Sequence, residues 1–321
     1  MKKSMLSLAA TLVLLCAMAS RCASGTEKAA PPPATQAASP SPATSDALPA
    51  EATGGFDGAK AFEHVKKLVA IGPRQAGSPG ILLAQEYIRK QLKSFGCNVE
   101  EDSFEVSTPA GRLPMRNIVA KIPGASANVV LLLGHYDTKR QENFVGANDG
   151  GSSAGLLLEM ARVFCGQKGS VSIWIAFLDG EEAIGEWSDT DGTYGSRQMA
   201  AKLALANELL RIKAVLLVDM VGDRELNLKR ESKSTGWLTE IVWRTAKRLG
   251  YEKHFLSEKQ AIEDDHIPFL KRGVPAVDLI DFDYPAWHTP NDTLDRVSAK
   301  SMGVVGHVVL ESVKEIEKKV R

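Results

Sequence analysis

Two kinds of apolar pattern alternate along residues 56–321, and together they predict one α/β domain. At residues 129–133 and 171–177 almost every position is apolar, which is typical of strands buried on both faces of a parallel sheet. At residues 78–95 and 298–319 apolar residues recur at helical spacing, which indicates amphipathic helices. Strands that alternate with helices predict a mixed, mainly parallel β-sheet with helices on both faces.

The predicted elements follow one another without an internal repeat. The predicted strands cover about residues 99–106, 113–122, 129–133, 171–177, 214–218 and 276–280. The predicted helices cover about residues 56–70, 78–95, 151–164, 196–209, 235–249, 265–270 and 298–319.

The first residues of the chain predict export. Lys2 and Lys3 precede a short apolar run, and Ala17 and Ala19 are small residues at positions that a signal peptidase prefers. The run is short for a membrane span, so we interpret residues 1–19 as a signal peptide and expect no transmembrane span in the mature protein. The mature protein is then expected in the periplasm or outside the cell.

Residues 20–55 predict a disordered linker before a folded domain at residues 56–321. They consist largely of Ala, Pro, Ser and Thr, a composition that cannot bury enough apolar surface to offset its ordering entropy. Cys22 offers a lipid anchor as an alternative, although Arg21 before it fits that interpretation poorly.

Net charge and cysteine content add two expectations. The formal net charge is +0, which gives no reason to propose nucleic acid or an acidic membrane surface as a partner. Cys97 and Cys165 lie in the domain. Cysteines of an exported protein can pair, but buried single thiols are common and the sequence does not show how far apart these two are. We expect them to be unpaired.

Acidic and imidazole side chains stand near the points where the predicted strands end. In chain order they are His135, Asp137, Asp149, Glu181, Glu182, Asp219 and His288. The carboxyl ends of parallel strands meet at one edge of a sheet, so we expect these side chains to lie together. Taken alone, Asp149 would be interpreted as the N-cap of the following helix. Burying so many ionisable groups at one edge is costly unless a cation compensates, so the set predicts a metal site.

The ligand types indicate zinc. Imidazole and carboxylate ligands without a thiolate suit a Zn²⁺ site with an open position, whereas a carboxylate cage for Ca²⁺ would not need the histidines. The smallest sufficient ligand set is Asp149, Glu182 and His288. Glu181, which stands beside a ligand, is then the natural general base and acid.

The same residues allow a second ion as an alternative. His135 and Asp219 could hold it with Asp149 as a bridge, or they could bond to the ligands of a single ion. Asp137 suits a carboxylate that orients His135. We therefore expect one zinc ion, while the ligand count allows two.

Two tryptophans stand beside this chemistry. Trp187 follows the glutamate pair, and Trp287 directly precedes His288. A tryptophan next to a metal ligand is better explained as the wall of a substrate pocket than as a core anchor.

The motifs resemble a known superfamily. Residues 135–138 (HYDT), 146–153 (GANDGGSS) and 287–289 (WHT) are similar to the zinc-dependent aminopeptidases. Three further stretches, at residues 179–197, 263–270 and 272–275, are similar to the glutaminyl cyclases within that superfamily. The string DDHIPFL at residues 264–270 is the most specific of them. The resemblance covers about residues 57–318.

The resemblance implies an enzyme that cyclises the N-terminal glutamine of a peptide or protein to pyroglutamate and releases ammonia. A single catalytic zinc ion would be held by Asp149, Glu182 and His288. Glu181 would be the glutamate that transfers the proton.

The resemblance also extends to the substrate pocket. Asp219 and Asp264 match acidic residues of the cyclase pocket, and Asp264 would bind and orient the amine of the substrate. Trp187 and Trp287 match the aromatic positions of that pocket.

Two features depart from the animal cyclases. Asp278 stands where those enzymes usually carry a histidine near the site, so its role is open. Gly134 and Ala154 occupy the places of a cysteine pair beside the metal. Neither departure removes a zinc ligand.

Two other functions are alternatives. A two-zinc aminopeptidase would use the same ligands at two ions, with Glu181 activating a bridging water. The segment around Trp187 and residues 264–266 favour the cyclase, because the peptidases generally lack them. A non-catalytic binding domain would be expected to have lost Glu181 or a metal ligand, and this sequence keeps them all.

Overall fold

The structure is a computed structural model that describes residues 46–321. The predicted signal peptide at residues 1–19, the predicted anchor Cys22 and the first part of the predicted linker lie outside the described residues. Within residues 46–321, no helix has both the length and the apolar character needed to cross a membrane.

The described residues contain eight β-strands and seven α-helices. The strands are β1 (Asn98–Thr108), β2 (Gly111–Ile122), β3 (Val129–His135), β4 (Ser172–Leu178), β5 (Ile212–Asp219), β6 (Leu228–Glu231), β7 (Phe255–Gln260) and β8 (Ala276–Ile280). The helices are α1 (Gly58–Ile71), α2 (Pro79–Ser94), α3 (Gly151–Phe164), α4 (Tyr194–Leu205), α5 (Gly236–Arg248), α6 (Ile267–Leu270) and α7 (Ala299–Val320).

Six strands form one mixed sheet in the order β1, β2, β4, β3, β5, β8. β3 pairs in parallel with β4 and β5, and β5 pairs in parallel with β8. β2 is antiparallel to both of its neighbours, β1 and β4. The predicted sheet is therefore confirmed. Because β4, β3, β5 and β8 run in the same direction, their carboxyl ends meet at one edge.

Helices cover both faces of the sheet, as predicted. Alternate residues of β3 point to opposite faces: Val130 and Leu132 pack into a core with residues of α1, α2, α3, α5 and α7. Leu131 and Leu133 pack into a second core with residues of α4 and α6. A central strand of this kind has no solvated face, which explains its uninterrupted apolar run.

The sequence analysis missed a second, two-stranded sheet. β6 and β7 pair in parallel, with Leu228 opposite Phe255. Those two residues are buried, but the rest of each strand is largely polar and charged. Neither an apolar run nor strict alternation marks these strands, so periodicity did not find them.

Residues 46–55, which were assigned to the linker, contact the folded domain. Ser298 Oγ donates to Asp46 Oδ2 at 2.8 Å, and Ala47 and Leu48 pack against the core. A short 3₁₀-helix follows at Ala50–Thr53. The domain therefore begins earlier than the predicted boundary at residue 56.

Cys97 and Cys165 form a disulfide, so the expectation that they are unpaired is wrong. Cys97 lies just after α2, and Cys165 directly follows α3. The carboxyl ends of these two helices come together and bring the two Cα atoms within 5.3 Å. The pairing depends on this tertiary contact, which the spacing of the cysteines along the chain does not indicate.

We expect the Cys97→Ser, Cys165→Ser double variant to lose about 2–5 kcal/mol of unfolding free energy. The disulfide joins residues 68 apart in sequence, so its removal enlarges the conformational freedom of the unfolded chain. Urea unfolding of the variant and of the wild type with and without reductant measures the effect. Equal midpoints for oxidised and reduced wild type would contradict it.

Candidate active site

The strand ends and the loops after them bring most of the predicted site residues to one pocket. The cavity has a volume of about 380 Å³. The predicted residues that line it are Asp149, Glu181, Glu182, Trp187, Asp219, Asp264, Trp287 and His288. His135 and Asp137 lie behind this wall and are fully buried. Residues that are far apart in sequence thus meet where open α/β sheets bind their ligands.

Asp149, Glu182 and His288 form one candidate ligand set, and one ligand atom from each lies within 4.8 Å of the others. His288 Nε2 is 3.5 Å from Asp149 Oδ2 and 3.3 Å from Glu182 Oε2. Asp149 Oδ2 and Glu182 Oε1 are buried, and no hydrogen-bond donor within residues 46–321 reaches them. Unpaired buried carboxylate oxygens beside an imidazole fit the donor set of a zinc site.

His135, Asp149 and Asp219 form a second candidate ligand set within the same distance limit of 4.8 Å. His135 Nε2 is 3.2 Å from Asp149 Oδ1 and 3.1 Å from Asp219 Oδ1. Asp219 Oδ1 also accepts hydrogen bonds from Ser153 Oγ and the Met220 amide. Asp149 is shared by both sets, as the two-metal alternative requires, but the Asp219 oxygen is already engaged.

Asp137 fixes the turn that carries the two glutamates. Its Oδ1 accepts from the Glu181 amide at 3.1 Å, and its Oδ2 accepts from the Glu182 amide at 3.3 Å. Gly180, just before them, has φ 68°, and a Cβ at this position would lie 2.5 Å from Met115 Sδ. The turn therefore needs glycine. Asp137 also lies 3.4 Å from His135 Nδ1, in agreement with its predicted orienting position.

The Asp149 loop is held by a residue that the sequence analysis missed. Arg74 is fully buried and donates to the carbonyl oxygens of Tyr136 at 3.1 Å, Val145 at 2.7 Å and Gly146 at 2.9 Å. Gly150, with φ 73°, occupies the N-cap position of α3, so Asp149 is not the cap. No motif marks Arg74, because all of these partners are main-chain atoms.

The concentration of buried acids raises their pKa values. Burial, reinforced by the nearby Glu182, raises the pKa of Asp149 to about 6. Burial raises the pKa of Glu182 to about 7, although Lys139 at 3.4 Å acts in the opposite direction. Burial would lower the pKa of His135, but Asp219 and the other adjacent carboxylates raise it well above its ordinary value. A cation in the pocket would favour the ionised form of each ligand carboxylate.

Glu181 and Asp264 are acids of the pocket that belong to neither ligand set. Burial raises the pKa of both carboxyl groups well above their ordinary range. The Asp264 charge adds to the shift of Glu181, while His135 opposes it. Asp265, the next residue, instead accepts from Ser196 Oγ away from the pocket. The two neighbouring aspartates therefore have different environments.

Asp278 lies beside His266, a contact that the sequence did not reveal. The carboxylate is fully buried, and its Oδ2 is 3.7 Å from His266 Nδ1. On its other side the His266 ring reaches Glu231, with Nε2 and Oε2 3.2 Å apart. Burial, with the charge of Asp264 as a further cause, raises the pKa of Asp278 well above its ordinary value. The His266 ring thus lies between the carboxylates of Glu231 in β6 and Asp278 in β8.

Aromatic rings form one wall of the pocket. Trp287 stacks on His288, with ring centroids 4.1 Å apart, and Phe282 lies 4.6 Å from Trp287. Trp187, Trp287 and Phe282 remain 43%, 39% and 36% exposed, so they line the entrance rather than the core. Phe282 was missed because it stands in a loop and outside any recognised motif.

Comparisons with known proteins agree with this geometry. A model of peptidase family M28 matches residues 117–313. The glutaminyl-peptide cyclotransferase of Boiga irregularis is 30% identical over 283 residues, which cover 74% of this chain and 75% of that protein. The crystal structure of a glutaminyl cyclase from an Acidobacteriales bacterium matches with a TM-score of 0.78 and 42% identity, covering 82% of this chain and 96% of that one. The crystal structure of a Zn-dependent exopeptidase from Parabacteroides distasonis matches with a TM-score of 0.73 and 27% identity. This match covers 80% of this chain and 97% of that one.

The fold and the site define a metallopeptidase-like enzyme, and the chain belongs to peptidase family M28. Within that family it is a member of the glutaminyl-peptide cyclotransferases. The resemblance found in the motifs is therefore confirmed. Family membership and the exopeptidase structure favour zinc as the metal.

We expect Glu231→Gln to lower the unfolding free energy by about 2 kcal/mol at neutral pH. Burial would raise the pKa of Glu231, but the adjacent His266 and hydrogen bonds from the Lys233 amide and Ser234 lower it to about 2. A lowered pKa stabilises the fold above the ordinary value of 4.5 and loses this effect as the pH falls towards 2.

Urea unfolding of wild type and Glu231→Gln between neutral and acid pH measures this difference, which should shrink on acidification. Glu240→Gln is the control, because it removes an exposed partner of Arg230 and should change little. A stability difference that does not vary with pH would contradict the assignment.

Proposed function

We propose that the pocket cyclises the N-terminal glutamine of a peptide or protein to pyroglutamate and releases ammonia. The observation that carries the proposal is the placement of Glu181 and Asp264. Both acids face the pocket beside a complete ligand set and are not members of it. They are thus available to handle the protons and the amine of a substrate.

In this proposal Asp149, Glu182 and His288 hold one zinc ion. Bound there, the ion would supply Lewis-acid stabilisation for the side-chain carbonyl oxygen of the glutamine. Asp137 and Arg74 act indirectly, because they hold the main chain that presents Glu182 and Asp149.

Glu181 moves the proton. The substrate's α-amine loses a proton to Glu181, its nitrogen forms a bond to the side-chain carbonyl carbon, and the bond from that carbon to the amide nitrogen breaks. The proton returns to the departing nitrogen, so the products are the five-membered lactam and ammonia. Burial raises the pKa of Glu181 above its ordinary range, which favours a carboxyl group that must both accept and return a proton.

Asp264, Asp219 and the aromatic wall orient the substrate. A carboxylate-rich pocket attracts the N-terminal amine, and Asp264 stands where it can bind that group. Trp187 and Trp287 flank the entrance and exclude water from the reacting atoms. Because the rings lie at the entrance, the N-terminal residue of the peptide can enter the pocket while the rest of the peptide remains outside.

A two-zinc aminopeptidase is the second candidate, and the His135, Asp149 and Asp219 set is the observation in its favour. The Asp219 carboxylate is already held by hydrogen bonds from Ser153 Oγ and the Met220 amide to Oδ1, so its position does not depend on a second metal.

The proposed organisation of the whole chain follows the sequence. Residues 1–19 serve as a signal peptide, the Ala- and Pro-rich residues before Asp46 link it to the catalytic domain, and the enzyme acts in the periplasm or outside the cell. Lipidation of Cys22 is the alternative. The disulfide between Cys97 and Cys165 supports export, since such bonds persist in oxidising compartments.

Incubation of the purified protein with a glutamine-initiated peptide tests the function. We expect one product that is about 17 mass units lighter than the substrate, the mass of ammonia, with no shortening of the peptide. Mass spectrometry measures it, and removal of zinc by a chelator should abolish the reaction. Free glutamine with a shortened peptide would establish the aminopeptidase instead.

We expect Glu181→Gln to lower kcat by about 10²- to 10⁴-fold and to retain zinc, because it removes the proton carrier but no ligand. Ammonia release and the zinc content of the purified protein measure the two effects. Glu186→Gln, an exposed glutamate of the adjoining loop, is the control and should behave as wild type. Full activity of Glu181→Gln would rule out this mechanism.

A further inference from the structure

The loop that presents His288 is held in a strained conformation. His288 has φ 52°, in the left-handed region that a side chain of this size rarely adopts. Such a conformation costs about 1–3 kcal/mol and persists only where surrounding contacts fix it. The Thr289 amide and hydroxyl both donate to the Ala286 carbonyl, at 3.1 and 2.8 Å. The turn around His288 is therefore closed by its own main chain.

A second set of contacts closes the same loop at its ends. Tyr284 Oη donates to Asp292 Oδ1 at 2.7 Å, and the Asp292 amide donates to the Thr289 carbonyl at 3.1 Å. Asp292 is fully buried, and Tyr284 is nearly so. The side chain of Asp292 thus fixes the base of the loop from which His288 projects.

Asp292 also binds the loop of a different metal ligand. Its Oδ1 accepts from the Asn148 amide at 2.8 Å, and its Oδ2 accepts from the Asp149 amide at 3.0 Å. The Ala147 amide donates to the Asp292 carbonyl oxygen at 3.3 Å. Three consecutive main-chain amides of the Asp149 loop therefore donate to Asp292, which lies 143 positions after Asp149 in the chain.

Arg74 binds the same loop through its carbonyl groups instead of its amides. Its guanidinium donates to the carbonyl oxygens of Val145 and Gly146, while Asp292 accepts from the three amides that follow. The segment before Asp149 is thus held by a buried cation on its carbonyl groups and a buried anion on its amide groups. Its position depends on both.

We propose that Asp292 is a positioning residue that sets the separation of two zinc ligands, Asp149 and His288. Its carboxylate binds the main chain that carries the first ligand and closes the loop that carries the second. The inference rests on the ligand set of the proposed function. It adds a role for a residue that touches neither the zinc nor the substrate, and for its partner Tyr284.

We expect Asp292→Asn to raise the Kd for zinc by about 10- to 100-fold, the range found when groups that orient metal ligands are removed. Asparagine keeps the size of the side chain, but its NH₂ group cannot accept from the main-chain amides. Zinc affinity is measured by competition with a chelator, without substrate. The visible spectrum of the Co²⁺-substituted protein should change, and kcat at saturating zinc should recover most of the wild-type value.

Asp281→Asn is the matched control. Asp281 is equally buried, and its carboxylate likewise accepts from two main-chain amides, those of Asn227 at 2.7 Å and Asp283 at 3.1 Å. Its carboxylate bonds to none of residues 147–149 and 284–292, so its loss should lower the melting temperature and leave the Kd for zinc unchanged. A Kd of Asp292→Asn within about twofold of this control would overturn the proposal.

Tyr284→Phe keeps the test decisive if Asp292→Asn does not fold. It removes one hydrogen bond to Asp292 and should raise the Kd for zinc several-fold. Tyr251→Phe, which removes the bond of a partly buried hydroxyl to His307, should not. Equal zinc affinities for these two variants would refute the positioning role.

His288→Ala separates the failure of this inference from the failure of the proposed function. Loss of zinc from His288→Ala, with unchanged affinity in Asp292→Asn, would overturn only the role of Asp292. Unchanged zinc affinity in His288→Ala would show that the ligand set is wrong, and both proposals would fall.

Discussion

The burial of many carboxylates at one edge of the sheet is the constraint on which the rest of the structure depends. Charges of one sign cannot be removed from water together unless each finds a donor or a cation. The protein meets part of this requirement with main-chain amides: Asp137 receives those of residues 181 and 182, and Asp292 receives those of residues 148 and 149. These hydrogen bonds therefore offset the cost of burying the acids and also fix the loops of the site.

The division between occupied and free carboxylates follows from this arrangement. Both carboxylate oxygens of Asp137 and of Asp292 already accept from main-chain amides. Asp149 and Glu182 each retain an oxygen without a donor among residues 46–321, Oδ2 and Oε1 respectively. The Asp149 oxygen faces His288 Nε2, whereas the Glu182 oxygen near that nitrogen is Oε2. Peptidases and cyclases can share one sheet and one ligand set, since their chemistry differs in what faces the free oxygens. In the proposed function, Glu181, Asp264 and the tryptophans supply that difference.

Much of the fold was visible in the sequence because burial on both faces imposes uninterrupted apolar runs, as at β3 and β4. The short strands β6 and β7 were not visible, since their residues are mostly polar. Only one apolar side chain of each strand is buried, and these two residues, Leu228 and Phe255, lie opposite each other. The candidate ligand residues could be selected from the sequence because each belongs to a chemically distinctive type, and the structure brings them together. Arg74 and Asp292 could not, because they act on main-chain atoms and any sequence can present those. The pairing of Cys97 with Cys165 depends on how two helices meet, which periodicity does not report.

The disulfide has a topological consequence for the edge of the sheet. The covalent ring closed by Cys97 and Cys165 contains the β1–β2 hairpin, whose connecting residues Pro109 and Ala110 are exposed. Backbone cleavage at this hairpin would leave Cys97 on one fragment and Cys165 on the other. The two fragments would remain one molecule as long as the bond is oxidised, and reduction would leave only noncovalent packing between them. The outermost part of the sheet can therefore be nicked by a protease without separating the amino-terminal helices from the rest of the domain.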